Sequence, residues 1–407
     1  MRRRSIRNHR AISSVENRPM EYHTKRNPRI GVLPKMPQLD GLRAVAVLLV
    51  VWAHWAPEAY RNIAGTNLGF IGVQMFFVLS GFLITGILVN VHQEVRRPED
   101  RWIALRRFYA RRALRIFPLH YLVLLLVVLL GLSPFRETWP WHAAYLSNFN
   151  FWLTGSHLNV HGGHLWSLSV EEQFYLLWPF ILFVPRKQHV PLILSLICVA
   201  PAFRAISPSF TWGTCPQAAG WLTPSVVDSL GTGGLLACLE RENRDIATRI
   251  AYSMLSLCAI GLGSLCIFDS LGFLKQSFCA FGFAWIVWQC SRGFGGPFGR
   301  WLQCKPMVYI GSISYGIYLI HGFSLPFWNW CLYGAPVPLY RIFARMQIPP
   351  GTYHQGWITI IGMTCITLGL ASLSFRFFES PIMSQKKHFP YRLESTCGPR
   401  KIHVAES

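Results

Sequence analysis

Two ionisable residues flank the first apolar segment of the chain, and both have side chains that can take part in catalysis. Arg43 and His54 lie in LDGLRAVAVLLVVWAHW, 11 positions apart. At about 100° per residue, both fall on one face of a helix, roughly 16 Å apart along its axis. Arginine binds phosphate, and imidazole exchanges protons near neutral pH. Snorkelling of Arg43 to a membrane surface and packing of His54 near a helix end are the structural alternatives.

Two adjacent acids, Glu171 and Glu172, lie in a later apolar segment, HLWSLSVEEQFYLLWPF. A carboxylate inside a membrane requires a partner such as protonated His54 or an arginine. An ion pair at the outer membrane interface is the alternative. Asp228, in TPSVVDSLGTGGLLA, has no basic neighbour in the sequence. We therefore expect Asp228 to find its cation in space.

A cluster of arginines precedes the third apolar segment, in RWIALRRFYARRALRIFPLHYL. Arg107, Arg111 and Arg115 form an i, i+4 row, and Arg112 is adjacent. On a helix this row forms a basic amphipathic surface at a membrane interface. The functional alternative is a cluster that binds a phosphorylated ligand, since guanidinium groups match phosphate oxygens.

A pair of small residues, Ser80 and Gly81, interrupts the aromatic run of FIGVQMFFVLSGFLITGIL. Small residues let membrane helices approach closely. The pair therefore predicts either a tight helix contact or an opening of the backbone beside an active site.

The composition indicates the elements that must position these residues. The chain has 407 residues, of which 52% are hydrophobic and only 14% are charged. A soluble protein carries about 25% charged residues. We predict an all-α polytopic integral membrane protein with about ten transmembrane helices. The candidate spans are 40–58, 68–91, 116–133, 168–185, 190–206, 224–239, 247–268, 273–290, 307–331 and 357–377.

The net charge of +21 raises the question of a nucleic-acid partner. Most of the 39 lysines and arginines, however, lie in alternate connections between the apolar segments. Cytoplasmic loops are enriched in these residues, so we predict that both termini are cytoplasmic, with membrane lipid rather than nucleic acid as partner. The connections predicted to be inside are 1–38, 92–115, 186–189, 240–249, 291–306 and the segment after 379.

The same pattern divides the chain into three regions. Residues 1–38 form a basic cytoplasmic tail, 39–382 a transmembrane domain, and 383–407 a second cytoplasmic tail. The first apolar run is expected to act as a permanent signal-anchor, because no cleavage site follows it. The 11 cysteines contain no CxxC pair and no cluster with histidines at zinc spacing, so neither a disulfide framework nor a metal site is expected.

The longest predicted external connection, about 134–165, is rich in Trp, Asn and His. A long loop usually has a function. Aromatic rings beside amide side chains suit a sugar, and they also suit an interfacial aromatic belt. The residues in question are Trp139, Trp141, His142, Asn148, Asn150, Trp152, His157, Asn159, His161 and His164.

A series of motifs resembles acyltransferase family 3, a family of membrane O-acyltransferases. In chain order the motifs read LDGLRAVAVLLVVWAH, FFVLSG, RRALR, WSLSVEEQFY, SISYGIYLIHG and SFRFFESP. The resemblance covers roughly residues 37–382. The chain departs from many members at Val226, where they have an arginine two residues before the aspartate that corresponds to Asp228. The resemblance therefore gives no local ion pair to Asp228.

The family resemblance implies an acyl transfer, commonly of acetyl from acetyl-CoA to a hydroxyl group of a cell-envelope glycan. His54 would be the general base or carry the acyl group, and Glu171 would orient its ring or stabilise its imidazolium form. The residues implied in binding the phosphates of CoA are Arg43, Arg111, Arg112 and Arg115. Those implied in binding the acceptor are Ser80, His164 and Trp166.

The resemblance further implies a bacterial inner-membrane protein that uses acyl-CoA as a substrate and has no permanently bound cofactor or metal. O-antigen, exopolysaccharide and lipid-linked oligosaccharide are the glycan acceptors to consider. A macrolide or signalling oligosaccharide as acceptor, a transporter, and a non-catalytic lipid-binding protein remain the alternatives. Some relatives carry an SGNH-type esterase-like domain, and this sequence is expected to act without one in cis.

Overall fold

The computed structural model describes the helical part of the chain. The described residues are 36–63, 66–94, 98–132, 135–155, 162–209, 216–265, 269–335, 339–349 and 356–391. Helical structure begins at Pro37 and continues to His388. Apart from one two-stranded antiparallel ribbon, β1 (Asn62–Ile63) and β2 (Thr66–Asn67), the regular elements of these residues are helices.

Ten helices lie between Pro37 and Arg292. They are α1 (Pro37–Trp55), α2 (Leu68–Glu94), α3 (Pro98–Leu129), α4 (Phe135–Ala143), α5 (Ser147–Thr154), α6 (Leu165–Leu182), α7 (His189–Ile206), α8 (Thr223–Glu242), α9 (Arg244–Leu265) and α10 (Lys275–Arg292). Seven shorter or later helices follow. They are α11 (Gly296–Leu302), α12 (Lys305–Ser312), α13 (Ser314–Ile320), α14 (Ser324–Asn329), α15 (Leu339–Arg345), α16 (Trp357–Ser374) and α17 (Ser380–Ser384).

Short 3-10 and π-helical segments connect or extend these helices. The 3-10 segments are Glu58–Tyr60, Arg186–Gln188, Ser207–Ser209, Pro216–Trp221, Asp269–Leu274, His321–Phe323 and Gln385–His388, and the π segments are Trp330–Gly334 and Phe375–Glu379.

Helices α2 and α8 form the inner pair of the bundle, and glycines bring them together. A Cβ on Gly81 of α2 would lie 1.9 Å from the Leu230 carbonyl oxygen of α8. A Cβ on Gly233 of α8 would lie 2.1 Å from the Val78 carbonyl oxygen of α2. Only glycine permits backbones to approach this closely. Of the two interpretations of the Ser80–Gly81 pair, the tight helix contact accounts for Gly81.

The all-α polytopic membrane fold is confirmed, and the predicted count of ten spans is not. Within the described ranges, six helices are long and apolar enough to cross a membrane, or seven if a bent pair is one span. The predicted spans 40–58, 168–185 and 273–290 correspond to helices α1, α6 and α10, which are not among the six. The reason is their polar content, since α1 carries Arg43 and His54 and α6 carries two glutamates.

The bent pair is α12 and the helix that begins with α13. The two meet at an angle of 57°, and the break falls at Ile313. Gly311 lies before the break, where a Cβ would be 1.8 Å from the Asp40 carbonyl oxygen of α1. The break therefore lies against α1, the helix that carries Arg43 and His54.

Candidate active site

A cavity of about 130 Å³ lies between helices α1, α2, α3, α6 and α13. It combines three arginines and a glutamate with hydroxyl groups and apolar side chains. Its lining is Arg43, Val73, Phe76, Phe77, Ser80, Leu83, Ile84, Arg112, Arg115, Ile116, Ser167, Leu168, Glu171, Tyr175, Ser314, Tyr315 and Tyr318. Five of the nine residues that the sequence analysis assigned to the site therefore line one cavity: Arg43, Ser80, Arg112, Arg115 and Glu171.

The arginines of α3 give the cavity its positive charge. Arg112 and Arg115 are three residues apart, so both face the same side of α3. The Arg112 guanidinium carbon lies 5.5 Å from the centre of the Tyr175 ring. Among the described residues, the buried Nε of Arg112 has no hydrogen-bond partner. This guanidinium group is thus able to bind an anionic ligand.

Arg43 reaches the cavity from the first turns of α1. Its Nη1 donates to Asp40 Oδ1 at 2.7 Å, in a partly exposed i, i+3 pair. One cation of the cavity is therefore already paired, whereas the guanidinium of Arg112 retains unused hydrogen-bonding capacity.

Glu171 occupies the cavity wall, where its carboxylate accepts two hydrogen bonds. Ser80 Oγ donates to Oε1 at 2.7 Å, and Tyr175 OH donates to Oε2 at 3.3 Å. Within the described structure, Glu171 and His54 share no hydrogen bond. In this structure, Glu171 therefore does not orient the His54 ring, and stabilisation of the His54 imidazolium by Glu171 stays a prediction. The carboxylate lies on the cavity side, where Ser80 and Tyr175 satisfy its oxygens.

His54 instead belongs to a cluster of three imidazoles. Its ring centre lies 4.9 Å from that of His321 and 6.5 Å from that of His164. The His164 and His321 rings are 4.6 Å apart. His54 is exposed, whereas His164 and His321 are buried behind it. The cluster presents one accessible imidazole backed by two inaccessible ones.

Hydrogen bonds to backbone carbonyls set the proton positions on two of these rings. His54 Nδ1 lies 2.8 Å from the Val50 carbonyl oxygen, and His321 Nδ1 lies 2.6 Å from that of Tyr318. A carbonyl only accepts, so Nδ1 carries the proton and Nε2 keeps its lone pair. In the described structure, the buried Nε2 atoms of His164 and His321 have no partner.

His321 was missed by the sequence analysis. The motif SISYGIYLIHG contains it, but the motif served only to support the resemblance. The histidine lies more than 250 positions after His54. The available signal was a histidine that ends an apolar segment, as His54 does.

The structure places two of the other predicted site residues elsewhere. Arg111 Nη1 donates to the Lys386 and Phe389 carbonyl oxygens, at 2.9 and 3.1 Å, and its guanidinium lies over the Tyr391 ring. Helical geometry turns Arg111 about 100° from Arg112, toward the C-terminal segment. Trp166 is buried in the core against Phe77 and Trp221 and does not line the cavity.

Asp228 finds its cation in space, as expected. Arg204 Nη2, from α7, donates to Asp228 Oδ2 at 2.9 Å, and Ser277 Oγ, from α10, donates to the same oxygen at 2.6 Å. Arg204 Nε also donates to the Phe273 carbonyl oxygen at 2.7 Å. This fully buried network joins three helices outside the cavity, so we assign it to the scaffold.

The predicted external connection contains helices α4 and α5. His142 is buried there, with Nδ1 2.8 Å from Ser147 Oγ. Burial lowers the pKa of His142 to about 4, so the ring is neutral at physiological pH. Trp139 and Trp141 are exposed. His157, Asn159 and His161 lie outside the described residues. No group of three His, Cys, Asp or Glu side chains in the described ranges is arranged to hold a metal ion.

Comparison with known proteins identifies a family match that covers the residues described above. Residues 36–376 match Acyl_transf_3, a family described as an acyltransferase domain. The chain is 28% identical over 375 residues to the peptidoglycan O-acetyltransferase OatA of Listeria monocytogenes, covering 85% of this chain and 56% of the relative. It is 29% identical over 387 residues to the O-acetyltransferase OatA of Staphylococcus aureus, covering 87% and 58%. No solved structure matches the chain.

The chain therefore spans little more than half the length of these curated relatives. The family match nevertheless extends over most of the chain and includes the cavity and the three histidines. The arginine–histidine helix, the serine–glycine contact and the glutamate of α6 all lie within the matched residues. The chain is a member of the Acyl_transf_3 acyltransferase family.

Proposed function

We propose that this protein is a multi-pass membrane O-acetyltransferase of the bacterial cytoplasmic membrane. It transfers an acetyl group from acetyl-CoA to a hydroxyl group of a cell-wall glycan. One observation carries the proposal. Helix α1 bears an arginine of the cationic cavity, Arg43, and the accessible imidazole, His54, on one face about three turns apart. A single rigid element thereby fixes the distance between a donor site and a base.

The cavity supplies the donor site. Arg112 and Arg115, together with Arg43, attract the phosphate groups of CoA. The cavity of about 130 Å³ is smaller than the roughly 300–1,000 Å³ of a typical ligand site. The cavity therefore widens on the side of its arginines when the donor binds. The acyl thioester then points along α1 toward the histidines.

The histidine cluster supplies the base. Nε2 of His54 takes the proton of the acceptor hydroxyl as its oxygen bonds to the acyl carbon. The carbon–sulfur bond of the thioester breaks, and the thiolate of CoA leaves. The proton held by His54 then neutralises the thiolate. In the alternative mechanism, Nε2 of His54 attacks the acyl carbon itself and displaces the thiolate of CoA. The acceptor oxygen then bonds to the acyl carbon, the bond to His54 breaks, and the hydroxyl proton passes by way of the freed imidazole to the thiolate.

Peptidoglycan is the first acceptor to test, because the Listeria monocytogenes relative is named as a peptidoglycan O-acetyltransferase. O-antigen, exopolysaccharide, lipid-linked oligosaccharide and small hydroxylated molecules are the alternatives. Mass spectrometry of isolated wall and surface glycans, with and without the gene, distinguishes them. Glycan from cells without the gene should be lighter by about 42 Da per modified sugar, the mass that one O-acetyl group adds to a hydroxyl group. This difference would identify both the acyl group and its acceptor.

The His54→Ala variant tests the mechanism. We expect the rate of glycan O-acetylation to fall by roughly 10²- to 10⁴-fold, because the general base is lost. The assay measures alkali-labile acetate on the glycan from cells that carry equal amounts of membrane-inserted protein. His92→Ala is the matched control, since His92 lies on α2 beside His189, outside the cavity and the cluster. Normal acetylation by His54→Ala would refute the assignment.

A further inference from the structure

The Tyr318 ring contacts both the donor cavity and the histidine cluster. Tyr318 is part of the cavity lining, whereas His54 and His321 are not. The centre of the Tyr318 ring also lies 5.4 Å from that of His164 and 5.6 Å from that of His321. We infer that Tyr318 determines which acyl groups are transferred, because the acyl carbon must be attacked beside this ring. The inference rests on the proposed function.

Several contacts hold the Tyr318 ring in one position. Its hydroxyl donates to the His164 carbonyl oxygen at 2.9 Å and also contacts Ser167 Oγ. Ser167 Oγ donates to the same carbonyl at 3.2 Å. On the cavity side, Phe76 packs edge-on against the ring at 6.0 Å. A ring fixed at both its hydroxyl and its face forms a rigid wall.

The geometry of the transfer explains why this wall selects by size. The arginines bind the anionic part of the donor, so the thioester end lies toward Tyr318. The acceptor oxygen approaches from His54, forms its bond to the acyl carbon, and the carbon–sulfur bond breaks. The proton passes from the hydroxyl to His54 and then to the thiolate. The remainder of the acyl chain must fit between Tyr318 and the cavity wall.

An acetyl group has one carbon beyond its carbonyl, and each further methylene must displace packed atoms. Closely packed sites discriminate by roughly 10-fold or more per methylene. Tyr318 is only 8% exposed, and the cavity of about 130 Å³ offers little spare volume. The wild-type protein is therefore expected to prefer acetyl over propionyl, and propionyl over butyryl, by about that factor at each step.

Three substitutions separate the effect of the ring from that of its hydroxyl. Tyr318→Ala removes the wall and is expected to lower the acetyl-to-butyryl preference by at least about 10-fold. Tyr318→Phe keeps the ring and is expected to keep the preference. Phe323→Ala is the matched control. Phe323 packs on His164 at 5.9 Å, as Tyr318 does, but does not line the cavity.

The experiment compares acetyl-, propionyl- and butyryl-CoA as donors for the full-length protein in lipid vesicles. Release of free CoA thiol reports use of the donor, and mass spectrometry of an added peptidoglycan fragment reports transfer. The ratio of kcat/KM values for the donors is the measured quantity. An unchanged ratio in Tyr318→Ala, with the wild-type protein active, would overturn the inference.

The two readouts distinguish failure of the inference from failure of the proposed function. If thiol is released but the fragment is not acylated, the acceptor is wrong, and the thiol ratios still test Tyr318. If the wild-type protein uses no acyl-CoA at all, the proposed function and the inference both fail. If Tyr318→Ala is not inserted, Tyr318→Trp provides the opposite test. The larger ring should lower acetyl transfer, and normal transfer would contradict the inference.

Discussion

Two adjacent arginines show how strongly the role of a residue depends on its direction from the helix axis. Arg112 lines the donor cavity with an unsatisfied Nε, as judged from the described residues. Arg111 donates to two backbone carbonyls of the C-terminal segment instead. Both side chains carry the same charge and lie on the same turn of α3. Only the first is placed to bind a donor.

The pair provides a prediction at the residue scale. Arg112→Ala should raise the KM for acetyl-CoA by roughly 10-fold or more, because a hydrogen bond to a charged group contributes about 1.5–3 kcal/mol. Arg111→Ala should leave this KM within about 2-fold and should lower stability instead, because two partly buried carbonyls lose their donor. Steady-state kinetics and thermal unfolding of both purified variants check the prediction. Equal increases in KM would show that Arg111 also binds the donor.

The Glu171 carboxylate has a supporting role at the same scale. It accepts hydrogen bonds from Ser80 and Tyr175, both of which line the cavity. The Arg112 guanidinium also lies over the Tyr175 ring. Glu171 therefore connects α2, α6 and α3 around the cavity. These contacts place Glu171 to support the shape and charge of the cavity.

At the scale of elements, contact between helix backbones determines where the cavity walls lie. Helix α2 carries Phe76, Phe77 and Ser80 on the cavity side and Gly81 on the side of α8. The position of the whole wall thus depends on how closely α2 approaches α8. The break at Ile313 precedes the helix that carries Tyr318 into the cavity lining, and His321 follows this helix and contacts His54 of α1.

The helix contact provides the second prediction. Gly81→Ala places a Cβ 1.9 Å from the Leu230 carbonyl oxygen, so α2 and α8 must separate. We expect a loss of stability of about 1–3 kcal/mol or more, the range for overpacked cores. Thermal unfolding of the purified wild-type and Gly81→Ala proteins, each with and without acetyl-CoA, measures this loss of stability.

Gly369→Ala serves as the control for Gly81→Ala. Gly369 lies in α16, and its added Cβ would meet nothing within 4 Å. Alanine in a helix interior is favoured over glycine by up to about 1 kcal/mol. The control should therefore be neutral or slightly stabilising. A Gly81→Ala protein as stable as this control would show that α2 and α8 are not in tight contact.

At the scale of the whole molecule, the arrangement across the membrane remains a prediction. The positive charges favour two cytoplasmic termini, which require an even number of crossings, and the sequence predicted ten. Composition alone identifies six or seven candidate spans in the described part of the chain. The difference lies in α1, α6 and α10. If α1 crosses the membrane, Arg43 and His54 face opposite sides, and a donor inside meets an acceptor outside.

Reporter fusions test this arrangement. Alkaline phosphatase, which is active only outside the cytoplasm, is joined after Tyr60, which follows α1, or after Arg292, which ends α10. We expect activity at Tyr60 and none at Arg292, and the reverse for a fluorescent reporter that folds only inside. Phosphatase activity at Arg292 or its absence at Tyr60 would contradict the predicted orientation.

The sequence by itself determined the membrane class, the family resemblance and the helix that carries Arg43 and His54. The membrane class follows from composition, and the family resemblance follows from the order and spacing of the motifs. The shared face of Arg43 and His54 follows from helical periodicity. The common cavity of Arg112, Arg115, Ser80 and Glu171 was only partly predictable. Motif order indicated a shared site, whereas local sequence does not tell Arg111 from Arg112.

Only the tertiary structure decided which side chains meet. It paired Glu171 with Ser80 rather than with His54, joined Asp228 to Arg204, and brought His321 beside His54 at the end of α1. These contacts join residues far apart in the sequence, and helix packing sets them through the close approach of glycine-lined backbones. No local pattern along the chain encodes such an approach, because it depends on the surfaces of two helices at once.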